Sequence, residues 1–105
     1  MYYEFPSTLL TSLKGSRRFL QIGIAISTQY EETLIENIET HMPAITADIS
    51  ATLSDYTEKE VEGSEARLAL AKDLRSTIDW TLSGLEDFKG FGGIKKVHIT
   101  SFVLH

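Results

Sequence analysis

Histidine is the side chain with the most obvious chemistry in this sequence, and His41 is the most conspicuous of the three histidines. It lies two residues after Glu39 and two residues before Pro43. One interpretation is a pH-sensitive or metal-binding imidazole, because histidine titrates near neutral pH. We favour a structural interpretation, in which His41 ends a helix and contacts its last carbonyl groups. A following proline leaves those carbonyls without helical N–H donors.

His98 and His105 lie seven residues apart near the C-terminus, in a segment that resembles a strand. In a regular strand an odd spacing places two side chains on opposite faces, so we expect these two not to share a ligand. A zinc site needs at least three protein ligands. Since the chain also contains no cysteine, the sequence predicts no metal site.

Other residue patterns do not support catalysis. The glycine-rich stretch 90–93 follows a predicted helix and opens a predicted strand, whereas a phosphate-binding loop follows a strand and opens a helix. No serine lies in a Gly-x-Ser-x-Gly elbow. Glu58, Glu60 and Glu62 form a run that we expect in solvent rather than a poised acid–base pair. The sequence therefore predicts no catalytic residue and no cofactor, with an enzyme as the alternative class.

Composition limits the remaining function classes. The chain has 105 residues, 42% of them hydrophobic and 24% charged, which predicts one globular domain over residues 1–105. A net charge of -5 argues against a nucleic-acid partner. We interpret the two basic pairs, Arg17-Arg18 and Lys95-Lys96, as solvated strand ends rather than a binding patch. No apolar run approaches the roughly 18 residues of a membrane-spanning helix.

Strand patterns occupy both ends of the chain. Residues 2–13 predict an edge strand that is broken near Pro6, because proline cannot donate a hydrogen bond to a sheet. Residues 18–30 alternate between apolar and small or polar side chains, which predicts a strand with one buried face. The members of that face are Leu20, Ile22, Ile24 and Ile26.

The final strand has two alternating sets of side chains. One set is Val97, Ile99 and Val103, and the other is His98, Thr100, Phe102 and Leu104. We assign the first set to the buried face because it is more uniformly apolar. Phe102 and Leu104 are then expected on the opposite face.

Three helices are predicted between these strands, each with an apolar stripe at helical spacing. The first carries Leu34, Ile35, Ile38 and Met42 and ends at Pro43; the second begins with Pro43 and carries Ile45, Ile49, Leu53 and Tyr56. The third begins near Ser64 and carries Leu68, Ala71, Leu74, Ile78, Leu82 and Leu85, flanked by Leu70 and Trp80. This order of elements predicts an α+β fold, a small antiparallel sheet covered on one face by three helices.

Several short segments together resemble one protein family. They are Arg18-Phe19-Leu20-Gln21, then Ile38-Glu39-Thr40-His41-Met42-Pro43, then Leu74-Arg75 with Ile78-Asp79 and Leu82, and the C-terminal Thr100-Ser101-Phe102-Val103. In this order they resemble FliL, a family of flagellar basal-body proteins. The chain departs from the family pattern at Asp79, where asparagine is common, and at His105, where glutamine is usual.

The resemblance implies the periplasmic domain of a single-pass inner-membrane protein, whose transmembrane helix and linker precede Met1. It also implies a stomatin-like (SPFH-type) fold and a ring of identical subunits around the flagellar stator. The implied partners are stator proteins of the MotA/MotB or PomA/PomB type, other copies of the chain, and the inner membrane. No catalysis is implied. The alternative is a stomatin-like scaffold at a membrane with no role in motility.

A closed head-to-tail ring needs two different complementary patches on each subunit. We expect one patch at the 86–93 loop and Trp80, with Phe88 and Phe91 as further interface candidates. The other is expected on the exposed flanks of the second and third helices. For the Trp80 side chain itself we favour packing in the core, the commoner fate of a large aromatic residue, over an exposed contact.

Overall fold

The structure is a computed structural model that describes residues 2–28, 32–86 and 94–105. Its four strands are β1 (Tyr2–Glu4), β2 (Leu9–Ser12), β3 (Phe19–Thr28) and β4 (Ile94–Leu104). Helices α1 (Glu32–Thr40), α2 (Met42–Ser54) and α3 (Ser64–Glu86) lie between β3 and β4 in the chain. A short 3-10 helix, Lys59–Val61, connects α2 to α3. The predicted α+β fold is confirmed.

The sheet is antiparallel and is built around β3. On one side, β1 pairs with the end of β3 (Tyr3 opposite Ile26), and β2 pairs with its beginning (Thr11 opposite Leu20). On the other side, β4 pairs along almost the whole of β3. The predicted edge strand is therefore present, and it is interrupted around Pro6.

The core lies between this sheet and the helices. The four alternating residues of β3 are each at most 1% exposed, which confirms the predicted buried face: Leu20, Ile22, Ile24 and Ile26. Helix α2 buries Ile45, Ile49 and Leu53, and α1 buries Leu34 and Ile38. Since the buried positions recur every four residues, each helix presents one stripe to the sheet.

Helix α3 presents a different stripe from the predicted one. Its fully buried residues are Leu70, Leu74, Ile78 and Leu82. Leu68 is 57% exposed and Trp80 is 73% exposed, so the predictions of a core position for these two are wrong. Residues two apart on a helix point about 200° away from each other, so Leu70 and Ile78 exclude Leu68 and Trp80 from the core. Leu85, also predicted to be buried, lies in α3, but its side chain is outside the part that the structure describes.

Strand β4 contains two irregularities that change which residues face the core. Gly23 is opposite Ser101 but Ile24 is opposite Ile99, so Thr100 is an extra residue; Lys95 is extra in the same way opposite Ser27 and Thr28. Such β-bulges shift the alternation of side chains. The core-facing set becomes Ile94, Val97, Ile99, Phe102 and Leu104.

The predicted face is therefore right for Val97 and Ile99 and wrong for Val103, Phe102 and Leu104. Val103 is 46% exposed, whereas Phe102 and Leu104 pack against the core. A Cβ atom on Gly23 would lie 2.5 Å from Ser101 Oγ and 2.7 Å from Thr100 Oγ1. The bulge thus requires a residue without a side chain opposite it.

Candidate functional site

His41 lies at the junction of α1 and α2. Its N–H donates to Asn37 O at 3.0 Å, and its carbonyl accepts from Ile45 N–H at 3.0 Å. The predicted position at the end of α1 is confirmed, and Pro43 is in the first turn of α2. The contact of the imidazole with carbonyl groups stays a prediction.

The β4 bulge at Thr100 places His98 and His105 on the same face of the sheet, the face away from the helices. The prediction of opposite faces is wrong, because it assumed a regular strand between the two residues. His98 Nε2 lies 3.4 Å from Ser27 Oγ, and His105 Nε2 lies 2.8 Å from Gln21 Oε1. Within the described ranges, no group of three or more His, Asp or Glu side chains is placed to hold a metal.

Two carboxylates of the acidic run 58–62, those of Glu58 and Glu60, accept hydrogen bonds. Glu58 accepts from Ser16 Oγ at 2.8 Å and from Arg18 Nη1 at 2.9 Å, joining the 3-10 helix to the start of β3. Glu60 accepts from the N–H and the hydroxyl of Thr57, both at 3.0 Å, and these bonds lower the pKa of Glu60. These carboxylates anchor a connection, and they are not arranged as an acid–base pair.

Trp80 is exposed on the side of α3 that adjoins α2. Its indole separates two shallow clefts, one lined by Ala51 and Thr52 and the other by Ala44 and Gly84. Asp48 borders both clefts. An exposed tryptophan between two clefts is typical of an interface hot spot, because a partner protein can contact both faces of its ring.

Hydrogen bonds between α2 and α3 hold the helices beneath Trp80. The Thr81 hydroxyl donates to Asp48 Oδ2 at 2.6 Å, and the hydroxyl oxygens of Thr52 and Thr77 are 2.9 Å apart. These residues repeat every four positions along both helices, so the bonds fix the register of one helix against the other. Trp80 therefore projects from a rigid support.

Two ionisable groups near this helix pair have raised pKa values. Burial, a hydrogen bond donated to Asp73 Oδ2 at 2.6 Å, and the negative charges of Asp73 and Glu60 raise the pKa of Tyr56 to about 12. Burial also raises the pKa of Asp79, which the positive charge of Arg75 partly offsets. Asp79 Oδ1 is buried without a hydrogen-bond partner among the described residues. Asp79 is one of the two departures from the pattern noted in the sequence.

A second surface lies between α3 and β4, where a groove of about 900 Å³ is lined by five basic residues. They are Arg67, Lys72 and Arg75 from α3, with Lys95 and Lys96 from β4. Lys95 and Lys96 are exposed near the start of β4, as expected for solvated strand ends, and they line this groove together with the basic residues of α3. A sequence signal for this groove was present, because Arg67 and Arg75 are about two helical turns apart and point to the same side of α3.

Comparison with known families identifies the chain. The model of one family, described as flagellar basal body-associated protein FliL, matches residues 2–104. The chain belongs to the FliL family. The match confirms the resemblance found in the sequence, and it favours a flagellar protein over a membrane scaffold unrelated to motility. Comparison with curated proteins gives no match.

FliL proteins are structural components of the flagellum rather than a known family of enzymes, which is consistent with the expected absence of catalysis. No helix in the described part of the chain is both long and apolar enough to cross a membrane. Phe88 and Phe91, predicted as interface residues, lie outside the described residues. The interface role of Trp80 and the stomatin-like fold stay predictions.

Proposed function

We propose that this FliL-family domain acts by protein–protein contact at the flagellar motor, where it surrounds and supports the stator. The observation that carries the proposal is the family match over residues 2–104. In this proposal the domain lies in the periplasm and is attached to the inner membrane. Its partners are the stator proteins, of the MotA/MotB or PomA/PomB type, and further copies of itself.

We propose that the copies form a head-to-tail ring through two surfaces on opposite layers of the fold. One surface is centred on Trp80, on the helical layer. The other is the outer face of the sheet, where Leu10 is 64% exposed and Phe19 is 52% exposed. Val103 and Tyr2 are exposed on the same face. Two different surfaces on opposite sides of a subunit satisfy the requirement of a heterologous contact that repeats.

The assembly is tested with two variants, each of which removes one surface. Trp80→Ala and Phe19→Ser are expected to prevent chains of subunits when the domain is attached at high density to lipid vesicles, which supplies a high local concentration. A mixture of the two variants should form dimers but nothing larger, because each variant retains one intact surface. Leu68→Ala, at an exposed apolar residue of the third helix outside both surfaces, should assemble normally. Normal assembly by Trp80→Ala would contradict the proposed contact.

The stator role is tested in the bacterium that encodes the chain. Deletion of the gene should reduce swimming most strongly in viscous medium, where the motor works under load, and the normal gene should restore it. The Trp80→Ala gene should restore less swimming, with equal protein level and unchanged circular dichroism of the domain. Unchanged motility after deletion would refute the flagellar role itself.

A further inference from the structure

The groove between α3 and β4 concentrates positive charge on an acidic protein. It contains five of the ten Lys and Arg residues of the chain, and no described Asp or Glu lines it. Among the described residues the one ion pair is Arg18–Glu58, so these five cations have no carboxylate partner within ion-pair distance. Like charges gathered in a concave surface focus a positive potential, which attracts an anionic ligand.

Strand β4 forms one wall of this groove and has an open edge. It pairs with β3, and no second described strand pairs with it. Ile24 O accepts from Phe5 N–H on the β1 side of β3, so Ile24 and Ile99 form a pair that exchanges no hydrogen bond. The N–H and C=O groups of Ile99 consequently point away from β3, towards the groove.

Backbone groups near the C-terminal end of β4 also point towards the groove. Phe19 and His105 exchange two backbone hydrogen bonds, of 3.3 and 2.8 Å. Alternation from His105 then turns the backbone groups of Phe102 towards the groove. An open edge with outward N–H and C=O groups is a template for one more strand.

Side chains on α3 contact this edge without filling the groove. The guanidinium of Arg67 lies over the ring of Phe102, 4.5 Å from its centroid, and Arg75 Nε donates to Ile94 O at 2.9 Å. Leu68 and Ala71 also line the groove. The site thus combines apolar contacts, a row of cations and unpaired strand backbone.

We propose that this groove binds an extended acidic peptide segment of a partner protein, which adds to the sheet as a strand beside β4. Backbone hydrogen bonds to Ile99 and Phe102 supply affinity that does not depend on sequence, and alternate side chains of the peptide supply specificity. Its carboxylates meet Arg67 and Lys72, and its apolar side chains contact Leu68. The groove is not lined by Trp80, Leu10 or Phe19, so its test variants are separate from those of the ring proposed above.

The open backbone favours a peptide over an anionic membrane. A bilayer surface can neutralise the cations, but it has no N–H and C=O groups to pair with the edge of β4. Only an extended chain uses both features of the groove. Binding to anionic vesicles without binding to the peptide would therefore contradict the proposal.

The test uses a labelled ten-residue peptide of alternating Glu and Val as the probe, with a Lys-Val peptide of equal length for comparison. Fluorescence anisotropy should show binding of the acidic peptide alone, weakened by added salt. The double variant Arg67→Glu, Lys72→Glu should weaken binding by about tenfold or more, because both cations face the ligand. The control Arg17→Glu, Lys59→Glu changes net charge equally at exposed positions outside the groove, and its affinity should stay within about twofold.

Amide hydrogen exchange, read by NMR, identifies the mode of binding. Saturation with the acidic peptide should slow exchange at Ile99 and Phe102, while exposed amides of α2 stay unchanged. Binding without protection of these two amides would overturn the added strand. Equal binding by the two double variants, or binding to phosphatidylglycerol vesicles but not to the peptide, would overturn the acidic-peptide site. Circular dichroism of each variant confirms that it is folded.

Discussion

The bulge in β4 leads to a sharp prediction for Val97 and Val103. These residues are six positions apart, so a regular strand would place both on one face and the same substitution would have the same effect at each. The bulge at Thr100 instead leaves Val97 2% exposed and Val103 46% exposed. Val97→Asp should therefore destabilise the domain far more than Val103→Asp.

The burial of each residue determines the expected magnitudes. Val97→Asp loses about 2 kcal/mol of apolar burial and places a carboxyl group among apolar side chains, where forcing it to remain protonated or unpaired costs about 2 kcal/mol or more. The total is about 4 kcal/mol. At Val103 roughly half of the burial is absent and the carboxylate stays in water, so about 1 kcal/mol is expected, including the poor strand preference of Asp.

The assay is urea unfolding at pH 7 followed by far-UV circular dichroism, with the slope m compared between variants. Because a domain of this size has a total stability of about 5–15 kcal/mol, Val97→Asp can leave too little folded protein to measure. Val97→Ala and Val103→Ala serve in that case, with expected costs of about 2 and about 0.7 kcal/mol. Equal costs at the two positions would refute the bulge and restore the regular strand.

Three further substitutions test other features of the structure. Gly23→Ala should cost about 1–3 kcal/mol, since its Cβ would meet Ser101 Oγ, and Ser101→Ala in the same chain should recover part of that loss in a double-mutant cycle. Asp79→Asn should stabilise the domain, because burial raises the folded-state pKa of the Asp79 carboxyl group. The free-energy cost of burying the charged carboxylate is absent below the unfolded pKa of about 4 and complete above the folded pKa. The stabilisation should therefore increase with pH above 4 in thermal unfolding, and a constant difference would contradict this cause. Tyr56→Phe should lose the hydrogen bond to Asp73. Because the folded-state pKa of Tyr56 is raised to about 12, the stability that its hydroxyl contributes should be complete below pH 10 and lost between pH 10 and about 12. Tyrosine absorbance and unfolding measurements across this pH range follow the loss.

Local patterns in the sequence determined the type of each main element. The alternation from Leu20 to Ile26 predicts β3 and its buried face, because side chains in a strand alternate without reference to the rest of the chain. Pro43 likewise marks the start of α2, since proline is accommodated in the first turn of a helix. The ordered segments that resemble FliL also needed only the sequence, and the family match over residues 2–104 agrees with them.

Tertiary structure decided the features that depend on contacts between distant residues. The bulge at Thr100 lies where β4 pairs with Gly23 and Ile24 of β3, and it exchanges the faces of Phe102 and Val103. The spacing of apolar residues within β4 does not reveal the bulge. Both alternating sets of side chains contain apolar residues, so either set fits the buried face of a regular strand.

Both candidate surfaces, the one around Trp80 and the basic groove, also depend on how the elements pack in the tertiary structure. Trp80 lies beside an apolar stripe in sequence, but the direction in which α3 faces the sheet leaves it exposed. The basic groove joins Arg67 and Arg75 to Lys95 and Lys96, which become neighbours only when α3 packs against β4. Sequence periodicity determines which residues share a face of one element, whereas the packing of elements determines which faces meet and which remain open to a partner.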